Sequence, residues 1–293
     1  FRRAHGPGNL GSGLLAGACI IVKSRNKTRL PQKKSAERFA VVIPVYNHAA
    51  TVTEVVRHAM ELGYPVFVVD DGSTDDTLKR LKEIPRINIV THKENRGKGA
   101  ALLSGFAAAA KVADMAITID ADGQHYPQDA LRLIAALPQK ERPIVVGKRM
   151  YAAGEHVPWT SRFGREFSNF WVWASGGPAL SDSQSGMRIY PLPEAMNLGV
   201  KARRFQFEVE ILVKAKRKGI PVMEVPVRVN YNPSGERISH FRPFVDFMRN
   251  SSTFSRLIFA RIFSRRYAKL FPRHGFYLAT VREICFIKSS LNI

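Results

Sequence analysis

The chain has 293 residues, of which 45% are hydrophobic, and this is enough for one large globular domain with extensions. Its two cysteines, Cys19 and Cys285, lie near opposite ends, which argues against a disulfide framework and against a cysteine-based metal site. There are 45 Lys and Arg residues against 24 Asp and Glu, a net charge of +21, so the composition favours nucleic acid, a phosphorylated substrate or an acidic membrane surface as partner.

The first 38 residues form a basic extension ahead of the patterned part of the chain. An apolar run over residues 10–22 follows Arg2-Arg3, as in a signal peptide, but it is shorter than the roughly 20 residues that cross a bilayer. Residues 23–34 are basic and contain proline. We therefore predict a flexible extension over residues 1–38 rather than a secretion signal.

From residue 39 onward, short apolar runs alternate with segments of helical length. The apolar runs predict four buried strands: Phe39–Val45, Val66–Val69, Ile87–Val90 and Met115–Ile119. The intervening segments predict three helices: Thr51–Leu62, Thr74–Glu83 and Ala100–Ala110. The alternation indicates right-handed βαβ units and an α/β fold, with a mostly parallel sheet covered by helices on both faces. Ligands of such sheets bind beyond the carboxyl ends of the strands.

The second predicted helix carries a start signal of its own. Ser73, with Asp76 three residues later, has the spacing of a capping box, in which each residue satisfies backbone donors of the first helical turn. The sequence therefore predicts a side-chain cap at this position.

Two carboxylates close the fourth predicted strand. Asp120 and Asp122 are separated by one small residue, so they point to the same side of an extended strand, and a bend also brings both onto one cation. Such oxygen ligands suit Mg²⁺ or Mn²⁺ held between carboxylates and substrate phosphates. The alternative is a strand followed by an ordinary Asp-Gly turn. The sequence has no glycine-rich dinucleotide motif after the first strand and no P-loop, which leaves a nucleotide site built from carboxylates and a metal.

Several motifs at the predicted strand ends resemble those of one known family. They are Val42-Ile43-Pro44-Val45-Tyr46-Asn47, Val69-Asp70-Asp71-Gly72-Ser73-Thr74-Asp75, Asn95-Arg96-Gly97-Lys98-Gly99 and Asp120-Ala121-Asp122-Gly123-Gln124-His125, followed by residues 146–149, 182–188 and 205–210. Over residues 39–240 the chain resembles family 2 glycosyltransferases of the GT-A fold, and among them the dolichyl- or polyprenyl-phosphate hexosyltransferases. The resemblance implies an inverting, metal-dependent transfer of a hexose from a nucleotide diphosphate sugar to a polyprenyl phosphate or a related membrane acceptor.

The resemblance also implies which residues bind the nucleotide sugar. Pro44 and Tyr46 would border the nucleobase, Asp71 would lie near the base or the ribose, and Lys98 would help to position the nucleotide. One departure leaves guanine and uracil both open as the base. Where the lipid-phosphate branch often has Asn-Glu after the tyrosine, this chain has Asn47-His48.

A second set of implied roles concerns the metal and the phosphates. Asp120 and Asp122 would hold Mg²⁺ or Mn²⁺ on the donor diphosphate, with Gln124 as a third ligand. Arg149 and Arg188 would face phosphate oxygens or the acceptor.

An acceptor phosphate needs cations rather than a base, because it is already an anion at neutral pH. Arg149, Arg162, Arg188 and Arg237 lie between or after the late motifs, and we expect some of these arginines, above all Arg188 and Arg237, to clamp that phosphate.

Three further ionisable residues in the motifs are assigned structural roles. His125 follows the two aspartates, but a lone histidine is more often structural. Glu208 and Glu210 alternate with apolar residues in a helical run, so we predict that they form its polar face.

The pattern changes again beyond residue 232. Phenylalanine, leucine and isoleucine alternate with arginine over residues 244–266, which is typical of a basic amphipathic helix in a membrane interface. The alternative is a helix packed on the domain. We therefore divide the chain into a basic extension (1–38), a GT-A domain (39–232), and an acceptor-side loop followed by a membrane-surface segment (233–293).

Two other functions stay open at this point. A family 2 enzyme that acts on a sugar hydroxyl in surface polysaccharide synthesis would need a general base, and the acceptor region offers no clear Glu-Asp pair. A non-enzymatic protein would use its charge to bind nucleic acid or membranes. The favoured prediction is a peripheral enzyme at the cytoplasmic face of a membrane, with an anionic membrane surface and no nucleic acid among its partners.

Overall fold

The structure is a computed structural model that describes residues 37–150, 159–230 and 251–262. Within these ranges the chain forms a seven-stranded sheet with helices on both faces, so the predicted α/β class is confirmed. The strands are β1 (Phe39–Val45), β2 (Val66–Asp70), β3 (Asn88–Thr91), β4 (Met115–Thr118), β5 (Ile144–Met150), β6 (Arg188–Pro191) and β7 (Val222–Arg228). The helices are α1 (Val52–Met60), α2 (Thr77–Lys82), α3 (Lys98–Ala109), α4 (Ala130–Ala135), α5 (Trp159–Ala174), α6 (Leu192–Met196), α7 (Phe207–Arg217) and α8 (251–262).

The strand order creates a crevice between β1 and β4. The sheet runs β3-β2-β1-β4-β6-β5-β7, and β1 is parallel to both β2 and β4. The chain therefore builds outward from β1 to β3 and then returns to the other side of β1. At such a switch point the loops after the neighbouring strands diverge and leave room for a ligand. The later strand β6 is antiparallel to both β4 and β5, whereas β7 is parallel to β5.

Both faces of the central strands are apolar because the sheet is covered on both sides. On one face, Val41 and Ile43 of β1 pack in a core that includes residues of α1, α2 and α4. On the other face, Ala40 and Val42 pack in a core with residues of α3, α6 and α7. The continuous apolar run of β1 follows from this arrangement, since successive side chains point to opposite faces.

The predicted capping box before α2 is wrong. The helix begins at Thr77, and its N-cap residue Asp76 makes no side-chain capping hydrogen bond. The hydroxyl of Ser73 instead accepts a hydrogen bond from the backbone N–H of Asn47 (3.0 Å), because the loops after β1 and β2 lie side by side. The Ser73 hydroxyl, which a capping box would use within α2, is therefore engaged in a tertiary contact instead.

Helix α8 packs on the domain through one of its faces. Phe254 and Leu257 are buried in a cluster with Val172 of α5 and with Val209 and Val213 of α7. Arg256 of α8 also pairs with Glu210 of α7 at 2.8 Å. The remainder of the predicted membrane-surface segment, and residues 1–36 of the predicted extension, lie outside the described ranges. Across those ranges, no helix combines the length and the apolar character needed to span a membrane.

Candidate functional site

The predicted site residues converge on the carboxyl edge of the sheet. Tyr46 follows β1, Asp71 follows β2, and Asp120 lies two residues beyond the end of β4. Pro44 is buried near the end of β1, paired in register with Val69 of β2. These residues therefore border the crevice between β1 and β4.

Hydrogen bonds join the loop after β1 to the loop after β2. The side-chain oxygen of Asn47, which has a positive φ of 52°, accepts a hydrogen bond from the backbone N–H of Thr74 at 2.7 Å. His48 donates its backbone N–H to the hydroxyl of Thr77 (2.9 Å), and its ring Nδ1 donates to the carbonyl of Tyr46 (2.7 Å). The residue that departs from the family pattern thus shapes the turn that carries Tyr46.

Asp71 orders the loop that leads into α3. Its buried carboxylate accepts hydrogen bonds from the backbone N–H groups of Arg96 (3.0 Å) and Gly97 (2.7 Å), and it lies 2.6 Å from Nδ1 of His92. Gly97 has a φ of 98°, and a Cβ there would come within 2.7 Å of the carbonyl oxygen of Arg203. The hydrogen bonds of Asp71 are thus made inside the protein, where they fix the start of α3.

Lys98, the first residue of α3, is the cation of a partly buried cluster. Its Nζ lies 2.7 Å from Oδ1 and 2.8 Å from Oδ2 of Asp120, and 2.6 Å from Oε1 of Glu208. The N-terminus of a helix disfavours a positive side chain, and burial disfavours any charge, so the two carboxylates are what holds the ammonium there.

The pKa directions describe the same balance of burial and pairing. Burial alone would lower the pKa of Lys98, but Asp120 and Glu208 raise it above its ordinary value. Burial would raise the pKa of Asp120, whereas Lys98, His125 and Arg188 hold it below its ordinary value. Both members of the pair are therefore charged at neutral pH.

Gly186 lets the loop before β6 close against Asp120. A Cβ at this position would overlap the Asp120 carboxylate, so no larger residue fits without moving it. The backbone carbonyl of Gly186 accepts a hydrogen bond from the hydroxyl of Thr118 in β4 at 2.9 Å. The close contact between this loop and β4 therefore requires a glycine at position 186.

Arg188 lies beneath that loop and not at its surface. Its guanidinium is fully buried and donates to the carbonyls of Ser185 (2.7 Å), Ser183 (2.9 Å) and Glu208 (3.0 Å). It also donates to the hydroxyl of Tyr190 at 3.1 Å. Burial alone would lower the pKa of Arg188, but Tyr190 and Glu208 raise it. This placement does not fit the predicted direct contact with a phosphate. The N–H groups of the guanidinium are already hydrogen-bonded inside the protein, in part to the 183–186 loop.

Asp122 and Gln124 form the outer part of the site. Both are partly exposed, and Oδ1 of Asp122 accepts the backbone N–H of Gln124 at 3.0 Å. His125 is buried beside them, and its Nδ1 has no hydrogen-bond partner in the described structure. Burial lowers the pKa of His125, while Asp120 and Asp122 act in the opposite direction.

The donor set fits a hard divalent cation that shares its coordination with a substrate. Nowhere in the described ranges do three His, Cys, Asp or Glu side chains converge as a ready-made metal cage. The oxygens of Asp122, Asp120 and Gln124 are nevertheless the kind of ligand that Mg²⁺ and Mn²⁺ take when phosphates and water complete the shell. The unpartnered nitrogen of His125 indicates in addition that this corner of the site is built to meet another group.

Arg149 is paired with an acid that the sequence did not single out. Its guanidinium makes a two-pronged contact with Asp182, with Nε 2.7 Å from Oδ2 and Nη2 2.8 Å from Oδ1. Burial alone would raise the pKa of Asp182, but Arg149 holds it below its ordinary value. The pair joins the end of β5 to the loop that ends at β6.

The sequence predicts two further arginines at the acceptor phosphate. Arg162 is exposed near the start of α5, and Arg237 lies outside the described residues. The prediction that Glu208 and Glu210 form a polar face is wrong, because both are buried and paired with cations. A single sequence gives no sign of this pairing, since Lys98 and Glu208 are 110 residues apart along the chain.

Comparison with known proteins gives three consistent findings. A model of glycosyl transferase family 2 matches residues 40–192. The chain is 30% identical over 213 residues to the UDP-N-acetylglucosamine–dolichyl-phosphate N-acetylglucosaminyltransferase of Methanococcus voltae, covering 65% of this chain and 85% of that protein. It is 27% identical to the polyprenol monophosphomannose synthase of Mycolicibacterium smegmatis, covering 66% of this chain and 78% of the relative.

A solved structure has the same fold. It is glucosyl-3-phosphoglycerate synthase from Mycobacterium tuberculosis in complex with Mn²⁺, UDP and phosphoglyceric acid, with a TM-score of 0.58 and 20% sequence identity. The match covers 77% of this chain and 78% of that one. The predicted GT-A fold is thereby confirmed.

Proposed function

The chain is a glycosyltransferase that belongs to family 2, and on that premise we propose that it transfers a hexose from a nucleotide diphosphate sugar to a polyprenyl phosphate or a related membrane acceptor. The observation that carries the proposal is the partly buried cluster of Lys98, Asp120 and Glu208 beside Asp122, at the carboxyl edge of the sheet near β1 and β4. The two relatives named for transfer to dolichyl phosphate or for polyprenol monophosphomannose synthesis support this class of acceptor.

On the donor side, the proposed roles follow the order of the loops. Pro44 and Tyr46 border the nucleobase, and Asp71 supports the sugar-nucleotide pocket by ordering the loop before α3. Lys98 and the first backbone N–H groups of α3 favour the negative diphosphate, since a helix N-terminus is an anion-binding site. A comparison of UDP- and GDP-linked sugars as donors distinguishes uracil from guanine as the base.

Asp122, with Gln124 and Asp120, would hold Mg²⁺ or Mn²⁺ at the donor diphosphate. A divalent ion bound there would neutralise the charge that develops on the leaving diphosphate. Inversion at the sugar carbon follows from a single displacement in which the acceptor attacks directly and no sugar is attached to the protein.

On the acceptor side, the acids of the site favour an acceptor that is already ionised. Asp182 is bound by Arg149, and Glu208 is bound by Lys98. Because pairing with Arg149 lowers the pKa of Asp182, it makes this carboxylate a weaker base toward a hydroxyl. A lipid phosphate needs no deprotonation, and it needs only cations to approach the donor.

Arginines are the proposed source of those cations. We assign the acceptor phosphate to Arg162 and Arg237, and we assign Arg149 to phosphate oxygens at the edge of the site. Arg188 acts as a positioning residue, because its guanidinium is buried under the 183–186 loop. Arg237→Lys is expected to raise the acceptor KM more than the donor KM, since lysine lacks the planar two-pronged grip.

The same proposal includes a location. An enzyme that takes a nucleotide sugar and a membrane lipid works at the cytoplasmic face of a membrane, held there peripherally by its basic surface. On this account the net charge of +21 serves an anionic membrane and not nucleic acid.

A donor panel tests the proposal. The full chain is incubated with UDP- and GDP-linked sugars, with Mn²⁺ or Mg²⁺, and with a polyprenyl phosphate in detergent, and the lipids are analysed by mass spectrometry. The expected product is the lipid phosphate carrying one sugar, from at least one donor. Transfer to an added sugar hydroxyl with no lipid product would assign the enzyme to polysaccharide synthesis instead.

A further inference from the structure

Exposed aromatic side chains are concentrated on two neighbouring helices. In the described ranges ten large hydrophobic side chains are exposed, and five of them lie on α5 and α8: Phe163, Phe170, Trp173, Phe259 and Ile262. Phe163, Phe170, Trp173 and Phe259 are each more than half exposed. Most exposed hydrophobic residues on a soluble protein are scattered singly, so a cluster of this kind marks an interaction surface.

On α5 the exposed rings all lie opposite the buried face. Ser168 and Val172 face the domain and are fully or almost fully buried, as is Ser175 directly after the helix. At 100° per residue, Phe163, Phe170 and Trp173 fall on the other side of the helix. Phe170 also contacts Trp171 and Trp173, with ring centroids 5.3 and 6.1 Å apart. The outer face of α5 is thus a convex aromatic ridge.

Helix α8 lies against the end of α5 and carries two further exposed apolar side chains. The Trp171 ring of α5 stacks on Phe254 of α8 at 6.1 Å, and Arg261 of α8 donates to the carbonyl of Ala174 at 2.6 Å. These contacts hold α8 against the end of α5 through one face, while Phe259 and Ile262 point away from the domain. We define the bilayer face as the exposed side of α5 and α8 that carries these five apolar side chains.

We propose that the bilayer face docks the protein on a lipid bilayer with anionic headgroups. Phe and Trp rings gain free energy at the boundary between headgroups and acyl chains, where one side of the ring is apolar and the other is wet. Arg162 is exposed on α5 with one acid, Glu166, nearby, and the chain as a whole carries a net charge of +21. A positively charged protein with exposed aromatic rings matches a negatively charged surface. A convex ridge suits a planar partner, whereas small ligands take concave sites.

The bilayer face lies directly behind the loop that closes the site. Asn169 of α5 donates to the carbonyl of Ser181 at 2.8 Å and accepts the backbone N–H of Ser183 at 2.9 Å. The hydroxyl of Ser168 lies 3.1 Å from that of Ser183. Docking would therefore place the loop with Asp182 and Gly186 behind α5, about one helix diameter (roughly 10 Å) from the headgroups, where a lipid phosphate lies. The docking and this consequence both rest on the proposed function, which includes peripheral attachment to an anionic membrane, and vesicle binding is measured separately from sugar transfer.

Vesicle flotation of the full chain tests the docking without any acceptor or donor. Vesicles of phosphatidylcholine, with or without phosphatidylglycerol, are compared at low and at high salt. At high salt the Debye length falls to about 3 Å at 1 M, so the remaining binding reports the apolar contribution. The test variant carries Phe163→Ser, Phe170→Ser and Trp173→Ser. The matched control carries Val112→Ser and Leu131→Ser, which are 43% and 50% exposed elsewhere on the domain.

We expect the test variant to lose about tenfold or more in vesicle partitioning at high salt, and the control to bind like the wild type. Unchanged binding by the test variant would overturn the proposal. A loss of self-association in size-exclusion chromatography, with vesicle binding intact, would assign the face to a second copy of the chain and would also overturn it.

A milder pair of substitutions covers the case in which the triple variant unfolds. Trp173→Phe should reduce the vesicle-induced blue shift of tryptophan fluorescence by more than Trp171→Phe does, because Trp171 is packed against Phe254. An equal reduction in the two variants would contradict insertion of Trp173 and, with it, the proposed face.

Discussion

At the scale of single residues, the site depends on one ammonium group shared by two carboxylates. Lys98 lies 2.7 Å from Asp120 and 2.6 Å from Glu208. Without the lysine, two negative charges would face each other in a buried corner, where an unpaired charge is costly. Because the pKa of Lys98 is raised above its ordinary value, the lysine stays protonated throughout the neutral range. We therefore expect no titration of Lys98 to appear in a pH–rate profile near neutrality.

Asp122→Asn tests the metal assignment. It removes one negative ligand at a partly exposed position, so we expect transfer to fall by about a thousandfold and metal-dependent nucleotide binding to weaken sharply, with the fold intact. Calorimetry with the nucleoside diphosphate, with and without Mn²⁺, measures the binding, and Asp76→Asn, at an exposed acid, is the control. A mutant that kept its metal-dependent binding would disprove the role of Asp122.

Gly186→Ala tests the close contact between the loop before β6 and Asp120. The added methyl group overlaps the carboxylate, which must move away from Lys98. We expect donor affinity to fall by about tenfold, equivalent to about 1.4 kcal/mol, with a smaller change in thermal stability. Gly164→Ala is the matched control, because a Cβ at that position of α5 has open space around it. Similar donor affinities in the two variants would rule out this contact as a determinant of binding.

At the scale of elements, α7 links the site to helix α8. Glu208 contacts Lys98, and Glu210, two residues further on, is fully buried and pairs with Arg256 of α8 at 2.8 Å and with Lys214 at 3.0 Å. Glu210 also accepts the backbone N–H groups of Lys201 and Ala202. Helix α7 is therefore held by ion pairs at positions where its sequence alone predicts a solvated face.

Glu210→Gln tests this link through its pH dependence. Burial would raise the pKa of Glu210, but Arg256 and Lys214 bring it below its ordinary value. A depressed folded-state pKa contributes stability above the unfolded pKa of about 4.3, and that stability is lost as pH falls through the lower folded value. The substitution should thus cost roughly 2 kcal/mol at pH 7 and progressively less below about pH 4.

Thermal unfolding of the wild type and of Glu210→Gln across pH checks this prediction. The control is Glu61→Gln. Glu61 is an exposed acid directly after α1, which packs on the opposite face of the sheet from α7. A difference in thermal stability between the wild type and Glu210→Gln that stayed constant from neutral to acid pH would show that the ion pairs do not stabilise the fold.

At the scale of the whole molecule, the sequence predicts features that depend on neighbouring residues, but it does not predict contacts between residues far apart along the chain. The parallel half of the sheet was predictable, because each buried strand and its following helix leave a contiguous pattern. The antiparallel direction of β6 was not, since an apolar run carries no sign of strand direction. The strand-end acids Asp120 and Asp122 were visible for the same local reason. Their partners Glu208 and Gly186 come from later loops, and only the tertiary fold brings them together.

The aromatic ridge illustrates the same limit. The sequence assigned membrane contact to residues 233–293 only, because aromatics and arginines are interleaved there. Helix α5 belongs to the catalytic domain, and the sequence alone does not distinguish its exposed aromatic side chains from core residues. Their exposure follows from which side of α5 packs on the domain, and that depends on Ser168, Val172 and Ser175 meeting the rest of the fold.

A matched pair of acceptors decides whether the enzyme transfers its sugar to a lipid phosphate. The enzyme, with its preferred donor and metal, is given a polyprenyl phosphate or the polyprenyl alcohol of the same length, and initial rates of sugar transfer are measured. Because Asp120, Asp182 and Glu208 are paired with cations, and Asp122 is assigned to the metal, we predict transfer to the phosphate and none above background to the alcohol. Equal rates on both lipids, or transfer only to a sugar hydroxyl, would contradict the account.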